Sequence, residues 1–218
     1  MFLYVQSWDM VRGKETEYTD FVLRTHLPTL QKLGLNVVGA FHVIVGAGPR
    51  ISHVITSPDS KSLQKALDTR EFLTVTEGLQ PYIVNYSSRI LRDSGRVELT
   101  SYGIELGTWR FNQYYTMMPG SEKDYGDFLT REYFPVLLGK GIRIKAEWQG
   151  IIGSGPSRVL LEGVAQRIQD IADTLVSDEY RTLKRHLLEY VRQYSTRILA
   201  PTGRVEIAFI LGEMTKAL

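Results

Sequence analysis

The sequence predicts an α+β protein built from two similar halves, and an internal repeat is the main observation behind this prediction. The segment YSSRIL at 86–91 returns as YSTRIL at 194–199, and a turn and then Gly-Arg-Val-Glu follow each copy. The turn GAGP at 46–49 likewise returns as GSGP at 153–156. Such long matches in register indicate a duplication with a repeat of about a hundred residues, the size of one small domain.

Each repeat has the predicted order strand, helix, strand, strand, helix, strand. Aromatic-rich strands, FLYVQSW and WRFNQYY, open the repeats, and an amphipathic helix follows each. The strands NVVGAFHVIVG and RIKAEWQGIIG lead through the glycine-rich turns into RISHVIT and SRVLLEG; a second, longer helix comes next, and Tyr-Ser-x-Arg-Ile-Leu is the fourth strand. This order is the ferredoxin-like plan, and it predicts one repeat at 1–99 and another at 104–218.

One ferredoxin-like unit leaves a face of its four-stranded sheet uncovered, because both helices pack on the other face. Two copies in one chain can cover each other. The sequence therefore predicts two sheets packed face to face as a single barrel, a fused form of a homodimer. Association of such fused barrels into a homo-oligomer is a further prediction.

The composition excludes several classes of function. Lys and Arg number 26 against 24 Asp and Glu, so no charge excess favours nucleic acid as a partner. No apolar run is long enough to span a bilayer, and the first ten residues lack the pattern of a signal peptide, which together predict a cytoplasmic protein. Cysteine is absent, and the histidines show no metal-binding spacing, so no metal site is predicted.

The Gly-led first helix, the GxGP turn and the closing Arg-Ile-Leu together resemble the NIPSNAP family, within the dimeric α+β barrel superfamily. The resemblance covers both repeats. It implies the barrel fold, and it leaves the function open, because the superfamily includes haem-degrading and cofactor-free monooxygenases, chlorite dismutases, polyketide cyclases, lactone isomerases and ligand-sensing domains.

The repeated arginines, Arg89 and Arg197, are interpreted as members of structural ion pairs. If a hairpin turn follows each fourth strand, Arg89 pairs with Glu98 and Arg197 pairs with Glu206 across neighbouring strands. Substrate binding by these arginines is the alternative. The glycine-rich turns are interpreted as hairpin connections rather than as phosphate-binding loops.

Candidate site residues are sought where the two copies differ. His26 falls on the apolar stripe of the first helix, where the second copy has Tyr133, and this indicates a partly polar cavity between sheet and helix. A hydrogen-bonded ring at the edge of the core is the alternative. His53, opposite Leu160 in the alignment, lies in a strand. His186 lies beside the apolar stripe of the second helix of its repeat, where the simplest interpretation is a surface histidine.

Alternation along the strands places the other candidates. Gln6 is flanked on its face by Tyr4 and Trp8, and Gln113 is flanked by Phe111 and Tyr115. The sequence predicts that Phe41 and Trp148 share one face, whereas His42 and Gln149 point toward the partner sheet. Arg110, Asn112 and Tyr114 lie on the other face of their strand and predict a polar network where the sheets meet.

The first repeat has smaller residues than the second at matched positions, with Gly39, Ala40 and Gly78 against Ala146, Glu147 and His186. The predicted cavity therefore lies in the first half, with His26 and His53 as its polar groups. The predicted walls are the first helix and Tyr4, Gln6, Trp8 and Phe41, and the wider candidate pocket adds Gln113, Tyr115, Trp148 and His186.

The residues support three functional hypotheses. A small-molecule-binding protein, or a cofactor-independent enzyme, would take an apolar, aromatic or polyketide-like molecule and use His26, His53 or Tyr133 in acid-base catalysis. A haem-binding or haem-degrading protein would use His186 or His26 as axial ligand. The third hypothesis is a non-catalytic interaction module. The first hypothesis needs no cofactor.

Overall fold

Eight antiparallel strands close into one barrel in the computed structural model, which describes residues 1–99, 101–153 and 158–201. The strands are β1 (Phe2–Met10), β2 (Asn36–Val45), β3 (Ile51–Ser57), β4 (Ile83–Asp93), β5 (Trp109–Met117), β6 (Ile142–Gly153), β7 (Val159–Ala165) and β8 (Val191–Pro201). Their order around the barrel is β1-β3-β2-β8-β5-β7-β6-β4.

The barrel order shows two equivalent sheets joined at their edges. Each half has its first strand between its third and fourth strands, as in the ferredoxin-like plan. β2 pairs with β8 and β4 pairs with β6, so each half supplies one strand to each of the two seams between halves. The predicted α+β barrel of two fused repeats is thereby confirmed. The exact limits of the repeats stay a prediction, because residues 202–218 lie outside the described residues.

The first helix of each half contains a wider π-helical turn. It comprises α1 (Glu15–Phe21), the π turn Val22–His26 and α2 (Leu27–Lys32) in the first half, and α5 (Glu122–Phe128), the π turn Leu129–Tyr133 and α6 (Phe134–Gly139) in the second. Pro28 and Pro135 follow these turns. Proline lacks an N–H, and its ring clashes with the carbonyl four residues earlier, so a wider turn before it relieves the clash.

The second, longer helix predicted in each half is divided into two short helices. The first half has α3 (Ser60–Leu67) and α4 (Arg70–Leu79), and the second has α7 (Ile168–Val176) and α8 (Asp178–Leu187). The Thr69 hydroxyl accepts a hydrogen bond from the Phe72 N–H at 3.1 Å, and the Ser177 hydroxyl accepts one from the Tyr180 N–H at 3.3 Å. These two capping residues start a new helix where helical periodicity alone predicts a continuous one.

The direction predicted for Phe41 and Trp148 is wrong. Both side chains point into the barrel, where they pack with Leu3 and Leu199, whereas His42 lines the space under the first helix. The ladder of β2 shifts register between Val37 and Gly39, and that of β6 shifts between Ile144 and Ala146. Such a bulge reverses the alternation of inward and outward side chains within a strand, so counting by twos gives the wrong face.

The predicted hairpin after β4 is also wrong. β4 ends at Asp93, and the residues that connect the halves insert Tyr102 among the side chains inside the barrel. Glu98 is exposed in this connection, and within the described residues Arg89 has no acidic partner. The predicted Arg197–Glu206 pair lies outside the described residues, as does most of the GSGP turn.

The strand register shows where the second repeat has one residue more than the first. His53 lies opposite Gln6, and Leu161 lies opposite Gln113, the counterpart of Gln6. The structural counterpart of His53 is therefore Leu161 rather than Leu160, and the insertion falls in the connection between β6 and β7. Within the described residues, no helix is long and apolar enough to cross a membrane.

Candidate functional site

A cavity of about 410 Å³ lies between the first helix and the sheet of the first half. Its size falls within the range of roughly 300–1,000 Å³ that small-molecule sites occupy. Leu23, whose side chain is 60% exposed, lies at its border with solvent. The lining is mainly apolar, and it consists of Trp8, Met10, Tyr18, Thr19, Val22, Leu23, His26, Leu27, Gly39, Ala40, His42, Ile51, His53 and Ile104.

His26 is the last residue of the first π turn, and its side chain is fully buried. Neither of its ring nitrogens has a hydrogen-bond partner within the described residues. Burial lowers the pKa of His26 to about 4, because the charged imidazolium is poorly solvated there. The imidazole is neutral at pH 7 and carries one donor and one acceptor nitrogen.

His53 lies next to His26, and the centres of the two rings are 5.4 Å apart. The Gln6 side-chain amide donates to the Tyr86 hydroxyl at 2.9 Å, which leaves the Gln6 oxygen 3.3 Å from His53 Nδ1. An amide oxygen only accepts, so His53 carries its hydrogen on Nδ1 and has a lone pair on Nε2. His53 Nε2 is buried without a partner in the described part of the chain.

Electrostatics keep this imidazole pair uncharged. Burial, and then the neighbouring His26, lower the pKa of His53 to about 3. Two imidazolium ions this close in an apolar site would repel each other and lack solvation. The arrangement therefore provides two neutral proton acceptors rather than a charged pair.

Trp8 forms the wall of the cavity beside both imidazoles. Its ring centre lies 6.3 Å from that of His26 and 5.9 Å from that of His53. The indole N–H donates to the Tyr18 hydroxyl at 3.0 Å, and its ring stacks on Tyr86 at 6.3 Å. Burial raises the pKa of Tyr18 to about 12, so this phenol stays protonated at pH 7. Trp8 is thus held in one orientation by its neighbours.

Not all the predicted pocket residues meet at this cavity. Gln6 acts beneath it through His53, whereas Tyr4 packs against Phe72, with ring centres 6.1 Å apart. Phe41 lies inside the barrel, and the Arg110 guanidinium carbon is 4.1 Å from its ring centre. Neither Tyr4 nor Phe41 lines the cavity, so the predicted wall is corrected at these two positions.

The equivalent space in the second half is filled by side chains. Tyr115, Tyr125 and Tyr133 are fully buried there. Tyr115 and Tyr125 are joined by a hydrogen bond of 2.7 Å, and the Tyr133 hydroxyl donates to the Gln113 oxygen at 2.5 Å. Tyr125 donates to Glu147 at 2.6 Å, and Glu147 occupies the position that Ala40 has in the first half. Gln113, Tyr115 and Tyr133 are therefore core residues. The hydroxyl groups of both tyrosines are hydrogen-bonded, whereas Gln113 Nε2 has no partner within the described residues.

Two further candidates lie apart from the cavity. His186 contacts Tyr190 at 3.1 Å and Glu132 at 3.4 Å on the helical surface of the second half. Trp148 lies inside the barrel and donates to Glu162 at 2.9 Å. The structure thus brings His26 and His53 together and leaves these two residues elsewhere.

Trp148 belongs to a polar network that fills one region of the barrel interior, where the sequence predicts polar contacts between the sheets. The Arg110 guanidinium donates to Glu162 at 2.8 Å and to the Tyr102 hydroxyl at 2.7 Å, and Tyr102 donates to Glu162 at 2.6 Å. Burial by itself lowers the pKa of Arg110. The neighbouring Tyr102 and Glu162 raise this pKa by more than burial lowers it, so the net pKa of Arg110 lies above its usual value. Arg110 and Glu162 are a buried ion pair, with 3% and 2% of their side chains exposed.

The sequence predictions missed several residues that line the cavity. Tyr18 and Val22 were recognisable from the apolar stripe of the first helix. His42 was missed because the bulge at Gly39 reverses the face of the strand on which it lies. Burial in the cavity wall lowers the pKa of His42. Ile104 comes from the connection between the halves and had no periodic signal. No group of residues that could hold a metal ion occurs within the described residues.

This chain is similar in structure, but not closely in sequence, to known proteins. The sequence matches no protein-family model and no curated protein. Similar solved structures include an anthrone oxidase-like protein, at 10% identity over 93% of each chain with a TM-score of 0.64. A suggested monooxygenase from Lactobacillus acidophilus NCFM is similar at 9% identity, over 91% of this chain and 92% of that chain, with a TM-score of 0.60.

Shorter structures are similar to about half of the chain, and they include the family that the sequence resembles. A NIPSNAP family protein from Agrobacterium tumefaciens str. C58 has 18% identity over 43% of this chain and 93% of its own, with a TM-score of 0.35. The two longer structures match along nearly the whole chain at identities that show the fold alone. This chain has the dimeric α+β barrel fold.

Proposed function

We propose that the chain binds a small apolar aromatic molecule in the cavity of its first half and removes a proton from it without a cofactor. One observation carries the proposal: His26 and His53 line an apolar cavity, and three nitrogens of these two buried imidazoles lack partners within the described residues. Buried polar atoms are normally paired, so unpaired ones beside a cavity indicate a missing ligand.

The cavity favours a planar apolar ligand. A cavity of about 150 Å³ is enough to bind benzene, so about 410 Å³ accommodates two to three fused rings. Trp8 and Tyr18 offer aromatic surface, and Met10, Val22 and Ile51 add aliphatic surface. Such a site binds aromatic rings by burial and by edge-to-face contact.

The imidazoles supply the chemistry. His53 Nε2 has the lone pair needed to accept a proton from an acidic O–H or C–H group, and the Gln6 oxygen holds Nδ1–H on the opposite side of the ring. Transfer leaves a ligand anion and an imidazolium, which stabilise each other inside the cavity. His26 can donate to the oxygen on which the negative charge develops. The name of one similar structure, an anthrone oxidase-like protein, fits chemistry on aromatic molecules.

A binding experiment tests the ligand class. We expect 1-naphthol to bind at least tenfold more tightly than 1-methoxynaphthalene, because only the naphthol donates a hydrogen bond to His53 Nε2. Tryptophan fluorescence reports the binding, because Trp8, one of the three tryptophans, lines the cavity. His53→Leu, which copies Leu161 of the second half, should bind both molecules equally. Tyr133→Phe is the matched control and should bind as the wild type does.

A second experiment tests proton transfer separately from binding. Anthrone has three fused rings and an acidic C–H bond, and NMR in D₂O follows the exchange of that hydrogen. We expect the wild type to accelerate exchange by at least a hundredfold over buffer, and we expect His53→Leu to lose most of this acceleration. Equal exchange by the wild type and His53→Leu would contradict the proposed role of His53.

Ligand binding to the same cavity also tests the two other hypotheses, a non-catalytic interaction module and a haem-binding protein. Failure of both naphthalenes to bind would favour a non-catalytic interaction module. The proposal uses no cofactor, and a titration with haemin tests that choice directly, because an axial histidine would shift the Soret band.

A further inference from the structure

Arg89 and Arg197, the arginines of the repeated Arg-Ile-Leu segment, line a second cavity inside the barrel. This cavity has a volume of about 70 Å³ and lies on the other side of the sheet from His53. The guanidinium carbons of Arg89 and Arg197 are 5.8 Å and 5.2 Å from the centre of the Tyr114 ring. One arginine comes from each half, so the duplication places two cations around one ring.

These two cations lack a counter-charge within the described residues. Glu162, which also lines the cavity, is bound by Arg110, Tyr102 and the Trp148 indole. Burial lowers the pKa of Arg89, and the neighbouring charge of Arg197 adds to the lowering. Like charges that converge on one cavity create a site where an anion gains more than it does in water.

Glycines of the repeated turns cover these arginines across the seams. Gly153 lies opposite Arg89 in the ladder between β4 and β6, and a Cβ atom at Gly153 would lie 2.8 Å from Arg89 Cγ. A Cβ atom at Gly46 would lie 2.9 Å from Arg197 Cγ. The turn of each half therefore covers the arginine of the other half, and only glycine leaves room for it. This close contact restricts the inner part of both arginine side chains.

A buried amide points to the same cavity independently. The Asn112 side chain is 5% exposed, and its amide N–H donates to the Tyr114 hydroxyl at 3.3 Å. Its oxygen, Oδ1, has no partner within the described residues and requires a hydrogen-bond donor. Val5, Val54 and Leu160 form an apolar wall beside it.

We propose that this cavity binds a small hydroxycarboxylic acid, with its carboxylate between Arg89 and Arg197 and its hydroxyl donating to Asn112 Oδ1. The guanidinium group matches a carboxylate in shape and charge. The volume of about 70 Å³ is about half of the roughly 150 Å³ that binds benzene. A three-carbon hydroxy acid has as many non-hydrogen atoms as benzene, so the cavity must widen to take even this acid, and larger acids are excluded. Phosphate has the charge but lacks the apolar part that the aliphatic wall would bind.

Thermal unfolding in the presence of lactate, propionate, phosphate or chloride at equal ionic strength tests the proposal. We expect lactate at ten times its Kd to raise the Tm by about 3–6 °C, and we expect propionate to bind at least fivefold more weakly because it lacks the hydroxyl. Equal shifts with all four anions would overturn the proposal, because they would show an effect of ions in general. A larger shift with phosphate than with lactate would assign the cavity to phosphate instead.

Matched variants locate the effect. Arg89→Gln and Arg197→Gln should each weaken lactate binding at least tenfold. Arg92→Gln and Arg192→Gln, which change exposed arginines on the same two strands, should leave it unchanged. Glu206→Gln is included because the sequence pairs Glu206 with Arg197. Two results together would overturn the proposal: lactate does not raise the Tm of the wild type, and Glu206→Gln lowers the Tm. Glu206 would then be the counter-charge of Arg197. His53→Leu should not alter the lactate effect, which separates this cavity from the aromatic site.

Discussion

The space between helix and sheet is open in the first half and filled in the second, although both halves have the same strands and the same π turn. His26, His53 and Ala40 border a cavity in one half, whereas Tyr133 and Glu147 belong to a hydrogen-bonded core in the other. The second half thus fills this space with side chains, although Gln113 Nε2 stays without a partner within the described residues. The difference teaches that the first half leaves its two imidazoles beside an open cavity, where the second half has packed tyrosines.

The largest effect is expected inside the barrel, where the second half has charges and the first has Leu3 and Val54. Glu162→Val copies the first half and leaves Arg110 buried without its partner, which should lower the free energy of unfolding by about 3–5 kcal/mol. The double variant Arg110→Leu, Glu162→Val should regain at least half of this loss, as measured by urea unfolding. A double variant no more stable than Glu162→Val would show that the ion pair is not the main contribution.

The second prediction uses pH to compare the halves. The pKa of His53 is about 3 in the folded protein and about 6.5 in the unfolded chain, so below pH 6.5 the unfolded state binds more protons. Stability contributed by this group is therefore complete above pH 6.5 and falls as the pH decreases toward 3. Between pH 7 and pH 5, His53→Leu should lose about 2 kcal/mol less stability than the wild type. Identical pH profiles from urea unfolding would show that His53 is not buried as described.

The third prediction contrasts His26 with its counterpart. Tyr133→Phe removes the hydrogen bond to Gln113, which still accepts from Tyr194 at 2.8 Å, so the loss of stability should be about 1 kcal/mol. Binding of 1-naphthol should stay unchanged in this variant. His26→Ala should weaken the binding of 1-naphthol. It removes no hydrogen bond within the described residues, since neither ring nitrogen of His26 has a partner there. The reverse ranking in a fluorescence titration would move the site to the second half.

The smallest effect is expected at the repeated arginines in the absence of carboxylates. Arg89 lies near Arg197 rather than in an ion pair with Glu98, so Arg89→Gln removes a repulsion together with a contact to Tyr114. The free energy of unfolding should change by less than about 0.5 kcal/mol. A loss of 1 kcal/mol or more would restore the ion-pair interpretation.

The fold was largely predictable, because the duplication repeats every element and the uncovered sheet face requires a partner. The pairing of His26 with a cavity in the first half followed from the apolar stripe and from the small size of Ala40. The faces of Phe41 and Trp148 were not predictable by alternation, because the bulges in β2 and β6 are set by the closure of the barrel. The role of Arg89 was hidden for a similar reason: its neighbours come from the other half, far away in sequence.

The two seams between the halves also have a consequence for folding. β2 and β8 lie far apart in the sequence, and their pairing joins Phe41 to Pro201. Contacts between such distant segments form slowly, because a long loop must close before they are gained. Each half on its own would expose two unpaired strand edges and the inner face of its sheet until closure. A chain that folds one half before the other is therefore prone to aggregate, and two such chains can exchange halves before each barrel closes.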